Sequence, residues 1–398
     1  MKKLSEFVEN INESATLASS KRAKELKTQG RDIIDLTLGQ PDFVTPSAIG
    51  QAAIQSIESG KASFYTASGG ISELKNAISD YWLRFYGYKP IASEIFVGTG
   101  AKFALYAYFL SVLDKDDEVI IPAPYWVSYL DQVKMASGKP VIVKAKADNA
   151  FKVTIDQLEA VKSDKSKVLL LNSPANPTGV VYTENELQEI GNWAIDNDLL
   201  ILSDDIYHRL VFGKAKFSSI SSLSDELRQR TMVINGASKS FSMTGWRIGL
   251  AVGDPEIIAA MTKIASQTIS NTTAVSQYAA VEAFSSLDDR PFEEMHGEFE
   301  HRLNVCSSLI QEIPGFELVK PDGAFYIFPD VSKAMSLMNF STVDQFVRAL
   351  LEEAGVATVS GRSFGSENHL RISIATDLES LVEGISRIKN WMEKNAVK

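Results

Sequence analysis

Cysteine is almost absent. The 398-residue chain has one, Cys306, so no intrachain disulfide can form, which suits a reducing compartment. No Cys/His cluster has zinc-ligand spacing, and no metal is expected. No apolar run approaches the roughly 18 residues that a membrane helix requires. The head of the chain, "MKKLSEFVENINESATLASS", follows its lysines with no continuous apolar stretch, so no signal peptide is read there. Positive charge is also short: 40 basic against 50 acidic residues give a net charge of −10 and a pI near 5.1. That field repels phosphate backbones and anionic membranes, so neither nucleic acid nor a membrane is an expected partner. The expected location is cytoplasmic. Internal repeats, low-complexity tracts and obvious flexible linkers are missing too. At roughly 100 to 200 residues per domain, the length allows two or three domains with buried cores.

What the chain does have is alternation of short apolar runs with amphipathic segments. "EIFVG" (94–98), "EVIIP" (118–122) and "PVIVK" (140–144) read as strands, and "AKFALYAYFLSVL" (101–113) reads as a helix. The clearest unit is central. "VLLLN" (168–172) leads through "SPANPTG" into a helix opened by Thr183 and Glu186 at capping-box spacing, with Leu187, Ile190 and Ala194 on one face. "LLILSDD" (199–205) follows, completing a βαβ unit, which implies a parallel sheet covered by helices. "MVINGASK" continues the pattern. Asn176, Asp204 and Lys239 therefore fall at or just beyond the carboxyl ends of parallel strands, the edge where open α/β sheets bind ligands.

The C-terminal part changes character. "GAFYIFPDV" and "HLRISIA" read as strands of a smaller α+β unit, and "DLESLVEGISRIKNWMEK" as a helix with Leu378, Leu381, Val382, Ile385 and Ile388 on one face. In "HLRISIA", Arg371 and Ser373 point away from Leu370, Ile372 and Ile374, so Arg371 meets solvent or lines a cleft. "SSLDDR" (285–290) breaks the apolar pattern. The expected division is an N-terminal arm over 1–44 that joins the smaller domain, a large α/β domain with a mostly parallel sheet sandwiched by helices over 45–288, and a smaller α+β domain over 289–398.

Four features point to chemistry, each with a plain structural reading beside it. Lys239 in "INGASKSFSMTGWRIG" is a surface lysine, or an amine whose pKa is lowered by desolvation and nearby cations so that it can attack a carbonyl. Asp204 in "SDDIYHRL" caps the next segment, or faces a protonated ring nitrogen, with Tyr207 offering a phenol to the same ring. "NPTG" (176–179) is a turn, or part of the same site by its position at a neighbouring strand end. Gly98 and Gly100 in "VGTGAKFAL" precede a helix whose first amides can hold a phosphate, although the stretch is neither a Walker A loop nor a dinucleotide fingerprint. Arg247 supplies a charged fork that a phosphate also favours. His208, a lone histidine after a strand, reads as structural.

Taken in order, "GQPDF" (39–43), "FYTASGG" (64–70), "GAK" (100–102), "PYWVSY" (124–129), "NPTG", "SDDIY" (203–207), "SKSFSMTGWRIG" (238–249), "GAFY" (323–326) and "HLRISIA" (369–375) resemble the fold-type I pyridoxal phosphate enzymes, the class I/II aminotransferases. The resemblance implies that Lys239 bonds the cofactor and, once released, shuttles a proton between the substrate α-carbon and the cofactor. It implies that Asp204 pairs with the pyridine nitrogen, that Asn176 and Tyr207 hold the phenolic oxygen, and that Trp126 stacks on the ring. The phosphate falls to the amides of Gly100 and Ala101, to Ser238 and Arg247, and to Tyr65 reaching across from a second subunit, which makes the active unit a homodimer. Arg371 grips the substrate α-carboxylate, and Gly39 contributes backbone from the other side of the cleft. The chain departs from the family pattern at Gly236, where many relatives carry serine.

Within the family, Lys102 in "GAK" resembles the bacterial aspartate aminotransferase branch, where that lysine meets the distal carboxylate of an acidic substrate; Thr16 in "ESATLA" also resembles it. The plain reading of Lys102 is a solvent-facing lysine, mildly unfavourable in a first helical turn. L-aspartate and 2-oxoglutarate are the expected substrates. Prephenate, aromatic or alanine transamination and a β-lyase are the alternatives. A binding module of a transcription regulator is a remote alternative, as no helix-turn-helix domain precedes the pattern and the acidic balance fits DNA badly.

Overall fold

The computed structural model describes residues 3–9, 11 and 15–395. Parts of the expected arm lie outside them, including Glu13 and Ser14 of "ESATLA". Twelve strands are present among the described residues: β1 (Ile34–Asp35), β2 (Ile95–Thr99), β3 (Glu118–Ala123), β4 (Lys139–Lys144), β5 (Ser166–Asn172), β6 (Leu200–Asp204), β7 (Thr231–Gly236), β8 (Ile248–Val252), β9 (Tyr326–Ile327), β10 (Val356–Ala357), β11 (Val359–Ser360) and β12 (Leu370–Ser373).

A seven-stranded sheet runs in the order β2-β8-β7-β6-β5-β3-β4. β7, β6, β5, β3 and β4 are parallel, and only β8 runs against both of its neighbours, β2 and β7. The central strands are continuous apolar runs because helices cover both faces; every residue of β7 and β8 is buried. The covering helices start where the sequence signals a start. Thr183 accepts the amide of Glu186 at 3.3 Å, and the Glu186 carboxylate accepts the Thr183 amide at 2.7 Å, closing the capping box of Glu184–Asp196. Asp254 caps Pro255–Thr268 by accepting the amides of Glu256 and Ile257, with proline at a first-turn position that has no use for an amide hydrogen.

The second assembly is antiparallel, in the order β11-β12-β9. Only Tyr326–Ile327 of "GAFYIFPDV" is strand, since Ala324 has φ 58° and Pro329 has no amide to donate to a ladder. β1 pairs in parallel with β10, Ile34 opposite Val356, so the N-terminal segment is tied to the C-terminal part of the chain. One apolar core unites them: Leu36 packs with Phe299 and Leu303 of helix Arg290–Gln311, with Phe325 and Ile372, and with Ile385 and Ile388 of helix Leu378–Asn395. The described residues contain no helix long and apolar enough to cross a membrane.

Candidate active site

Three parallel strands end side by side, Asn172 opposite Asp204 and Asp204 opposite Ile234. Asn172 organises this edge. Its amide group donates to the Asp204 carbonyl at 2.8 Å, and its side-chain oxygen accepts the Asn176 amide at 2.9 Å. Asn176 is thereby held beside the strand that carries Asp204. The Asp204 carboxylate is buried and accepts from Tyr129 Oη at 2.7 Å and from the Ile206 amide at 3.2 Å. Burial pushes its pKa up to about 6, while Tyr129, the Ile206 amide and the Lys239 charge hold it down.

Lys239 stands on the short helix Ala237–Ser240, directly after β7. Its Nζ donates to the Gly39 carbonyl and lies 5.8 Å from the Tyr207 ring. Burial, then the charges of Arg371 and Arg247, push its pKa down to about 7, with Asp204 opposing. An amine that is half neutral near pH 7 can act as a nucleophile or a base. The Gly39 loop is anchored from the other assembly: Asp42 accepts from Arg302 Nη1 at 2.8 and 3.0 Å, and Arg302 Nε donates to Glu298 at 2.8 Å.

Arg371 is 1% exposed, and it lines the cleft rather than meeting solvent. It donates to Asn176 Oδ1 at 3.0 Å and to the Thr37 carbonyl at 2.9 Å, rests 4.3 Å from the Tyr326 ring, and keeps a buried Nε with no partner among the described residues. Tyr207 Oη meets Tyr326 Oη at 3.1 Å.

On the far side, Gly100 has φ 81° and opens helix Ala101–Val112. A Cβ on it would lie 2.2 Å from Arg247 Nη2, so glycine is what lets the guanidinium pack on the loop. The Gly100 amide turns back to the Gly98 carbonyl at 2.8 Å, which leaves Ala101 and Lys102 as the leading first-turn amides of that helix. Lys102 Nζ lies 5.0 Å from the Trp126 ring, and burial followed by the charge of Arg247 lowers its pKa. At the departure from the family pattern, a Cβ on Gly236 would lie 2.7 Å from the Ile248 carbonyl, so β8 leaves no room for serine.

Lys239, Asp204, Tyr207, Asn176, Arg371, Gly39, Ala101, Lys102, Trp126, Ser238 and Arg247 all line one cavity of about 570 Å³. Gly100 and Tyr65 are not among its walls; Tyr65 is 90% exposed. Residues that the sequence reading did not single out are Asn172, Tyr129 and Tyr326. A polar residue closing an apolar strand was the available signal for Asn172, whereas both tyrosines sit inside recognised motifs with nothing in their spacing to mark a role.

This wall chemistry fits pyridoxal phosphate. It offers an amine able to bond an aldehyde and a buried carboxylate with no hydrogen-bonded cation among the described residues, as a protonated ring nitrogen would need. It also offers an arginine packed beside a helix N-terminus for a phosphate.

Comparison with known proteins agrees. Residues 31–388 match the family model for aminotransferase class I and II. The chain is 55% identical to an asparagine–oxo-acid transaminase of Streptococcus mutans, over 99% of this chain and 100% of that one. It is 50% identical to an aspartate aminotransferase of Bacillus subtilis, again over 99% of this chain and all of that one. The aspartate aminotransferase of Thermus thermophilus solved with maleate superposes with a TM-score of 0.93 at 34% identity, covering 98% of this chain and 100% of that one. The chain belongs to the class I and II aminotransferases, enzymes that work with pyridoxal phosphate.

Proposed function

We propose that the protein moves the amino group of L-aspartate to 2-oxoglutarate, giving oxaloacetate and L-glutamate, with the first product leaving before the second substrate binds. The observation that carries this reading is a pair of cations. Arg371 and Lys102 both line the cavity of Lys239, and among the described residues neither pairs with a carboxylate. A substrate with two carboxylates answers both. The aspartate aminotransferases among its relatives support the reading, as does the maleate bound to one of them, itself a dicarboxylate.

In this reading Lys239 would bond the cofactor, Asp204 would keep a proton on its ring nitrogen, Asn176 and Tyr207 would hold its phenolic oxygen, and Trp126 would cover its face. Arg247, Ser238 and the helix start at Gly100, Ala101 and Lys102 would hold the phosphate, joined by Tyr65 of the partner subunit. Pyridoxal phosphate held there would supply an electron sink for the substrate α-carbon. Arg371 would grip the α-carboxylate with two parallel hydrogen bonds, Gly39 would close the other side, and Lys239 Nζ, freed once the substrate's amino group has taken its place on the cofactor, would take the α-proton and return it to the cofactor. Exposed apolar side chains beside and beyond Tyr65, including Phe64, Val44 and Leu287, support a homodimer. The β1–β10 pairing supports assigning 1–44 to the smaller domain, with 45–288 and 289–398 as the two domains. The proposed location is cytoplasmic.

A second reading takes L-asparagine as a donor, because an ammonium donates to a side-chain amide oxygen as it does to a carboxylate, and the 55% identical relative bears that name. The test is the visible spectrum of the cofactor-loaded protein with L-aspartate, L-asparagine, L-glutamate, L-alanine and L-phenylalanine in separate samples. Rapid conversion by aspartate and glutamate, with alanine converted far more slowly, is expected. Conversion by asparagine as well adds the second donor. Conversion by alanine or phenylalanine alone, or by none, overturns the acidic-substrate reading.

A further inference from the structure

Behind the wall that carries Lys239 and Tyr207 lies a set of polar side chains with no part in the reaction as described. Asn235 is 1% exposed and His208 4%, and neither lines the cavity. Asn235 Oδ1 accepts the backbone amide of Gly236 at 2.7 Å. A backbone amide only donates, so that branch of the side chain is the oxygen and the other is the NH₂. The NH₂ reaches Tyr86 Oη at 2.8 Å and His208 Nδ1 at 3.1 Å. An Nδ1 that accepts leaves the ring hydrogen on Nε2, which donates to Tyr81 Oη at 2.7 Å. A chain of bonds that starts at a main-chain amide therefore favours the tautomer with its hydrogen on Nε2. Burial, with the charge of Arg209, pushes the His208 pKa down to about 3 against the opposing pull of the Asp205 main chain, so the ring stays neutral at neutral pH.

The two residues belong to different strand ends. Asn235 and Gly236 close β7, immediately before the helix that bears Lys239. His208 follows Tyr207 in the turn after β6, with its own amide on the Asp205 carbonyl at 2.9 Å. Among the described residues, the main-chain ties between these two strand ends finish where the Asp205 amide meets the Ile234 carbonyl at 2.9 Å. Past that bond the connection passes to side chains, and the Asn235–His208 bond is the one that joins them directly.

We propose that Asn235 and His208 form a positioning clamp that sets the separation between Lys239 on one strand end and Asp204 and Tyr207 on the other. Neither residue touches a reactant; both act through the main chain of residues that do. The proposal rests on the reading of Lys239 as the cofactor-bonding residue. Reactions between held groups lose about 10²-fold in rate for a misplacement of about 1 Å, so loss of the clamp registers in chemistry before it registers in fold.

Two amide variants separate the clamp from simple packing. Asparagine at 208 ends near the position of Nδ1 and restores an acceptor for Asn235, whereas glutamine ends near Nε2 and serves only Tyr81. The measurement is the rate at which the cofactor-free protein gains its visible band on mixing with pyridoxal phosphate, followed against pH, with melting temperature alongside. His208→Gln is expected to take up the cofactor about tenfold or more slowly with a displaced pH midpoint, and His208→Asn to stay within about twofold of the native rate at a comparable melting temperature. Equal rates and midpoints in the two variants, with the band abolished in Lys239→Ala, would overturn the clamp alone. A band that survives Lys239→Ala would overturn the role of Lys239 and the clamp together. Independently of any variant, ¹⁵N spectra of histidine-labelled native protein must show His208 protonated on Nε2; a proton on Nδ1 would overturn the proposal.

Discussion

Tyr129 donates its phenolic hydrogen to Oδ2 of Asp204 across 2.7 Å, 75 residues away in sequence. Burial and the neighbouring carboxylate push the Tyr129 pKa well above the usual phenol range, so it stays a donor. Burial raises Asp204 to about 6, but the Tyr129 hydrogen bond, the Ile206 amide and the Lys239 charge oppose the rise, so it is ionised at pH 7 and able to face a cationic ring nitrogen. Asp204→Asn removes that charge and keeps the shape. Turnover is expected to fall by about 10² to 10³-fold, the scale of one lost electrostatic contact in a desolvated site. Steady-state kinetics check it, and near-native turnover would contradict the assignment.

Lys239 titrates from 10.5 in water to about 7 in the folded chain. Only the neutral amine attacks an aldehyde, so cofactor uptake by the cofactor-free protein is expected to rise as pH passes about 7 and to level above it. Between these two values the unfolded chain binds the proton and the folded chain does not, so this group makes stability rise with pH across that window. Lys239→Ala is then expected to form no visible band at any pH and to stabilise the cofactor-free protein most at or below pH 7. Stopped-flow absorbance and denaturant titration read the two effects.

Lys102→Ala is expected to raise KM for aspartate by about tenfold to a hundredfold, the worth of one charged hydrogen bond, and to leave alanine kinetics unchanged. Equal effects on both substrates would remove Lys102 from distal-carboxylate recognition.

Tyr65 is 90% exposed in the single chain, and Tyr65→Phe deletes only its hydroxyl. Cofactor dissociation is expected to speed up by about tenfold, one hydrogen bond's worth, with the dimer intact by sedimentation. Unchanged retention would count against its reach into a neighbouring phosphate site.

Gly236→Ser drives a Cβ to within 2.7 Å of the Ile248 carbonyl on β8, which is main chain and cannot swing aside. A loss of about 1 to 3 kcal/mol in unfolding free energy is expected. An unchanged denaturation midpoint would show that the two strands separate without strain.

The parallel core was legible because its strands are buried on both faces and so appear as unbroken apolar runs, and because the Thr183–Glu186 box marks where the intervening helix begins. Chain order then placed Asp204 and Lys239 at one sheet edge. The β8 reversal was not legible. "RIGLAV" is as apolar as its parallel neighbours, and direction is set by the short return through Thr244–Trp246 rather than by the strand itself. The smaller assembly was read too generously, since Ala324 and Pro329 trim its strand to two residues.

By itself the amino-acid sequence determined the pattern of buried strands and covering helices, and which charged and small residues lie at strand ends, because both follow from local periodicity and turn chemistry. Tertiary structure alone decided which of those residues meet. Arg371 reaches Asn176 across 195 positions and the Thr37 carbonyl across 334, and Lys239 reaches Gly39 across 200. It also decided their chemical state. The same lysine that would stay charged in water sits near pKa 7 because packing removes solvent and brings Arg371 and Arg247 beside it, a field that no stretch of sequence contains.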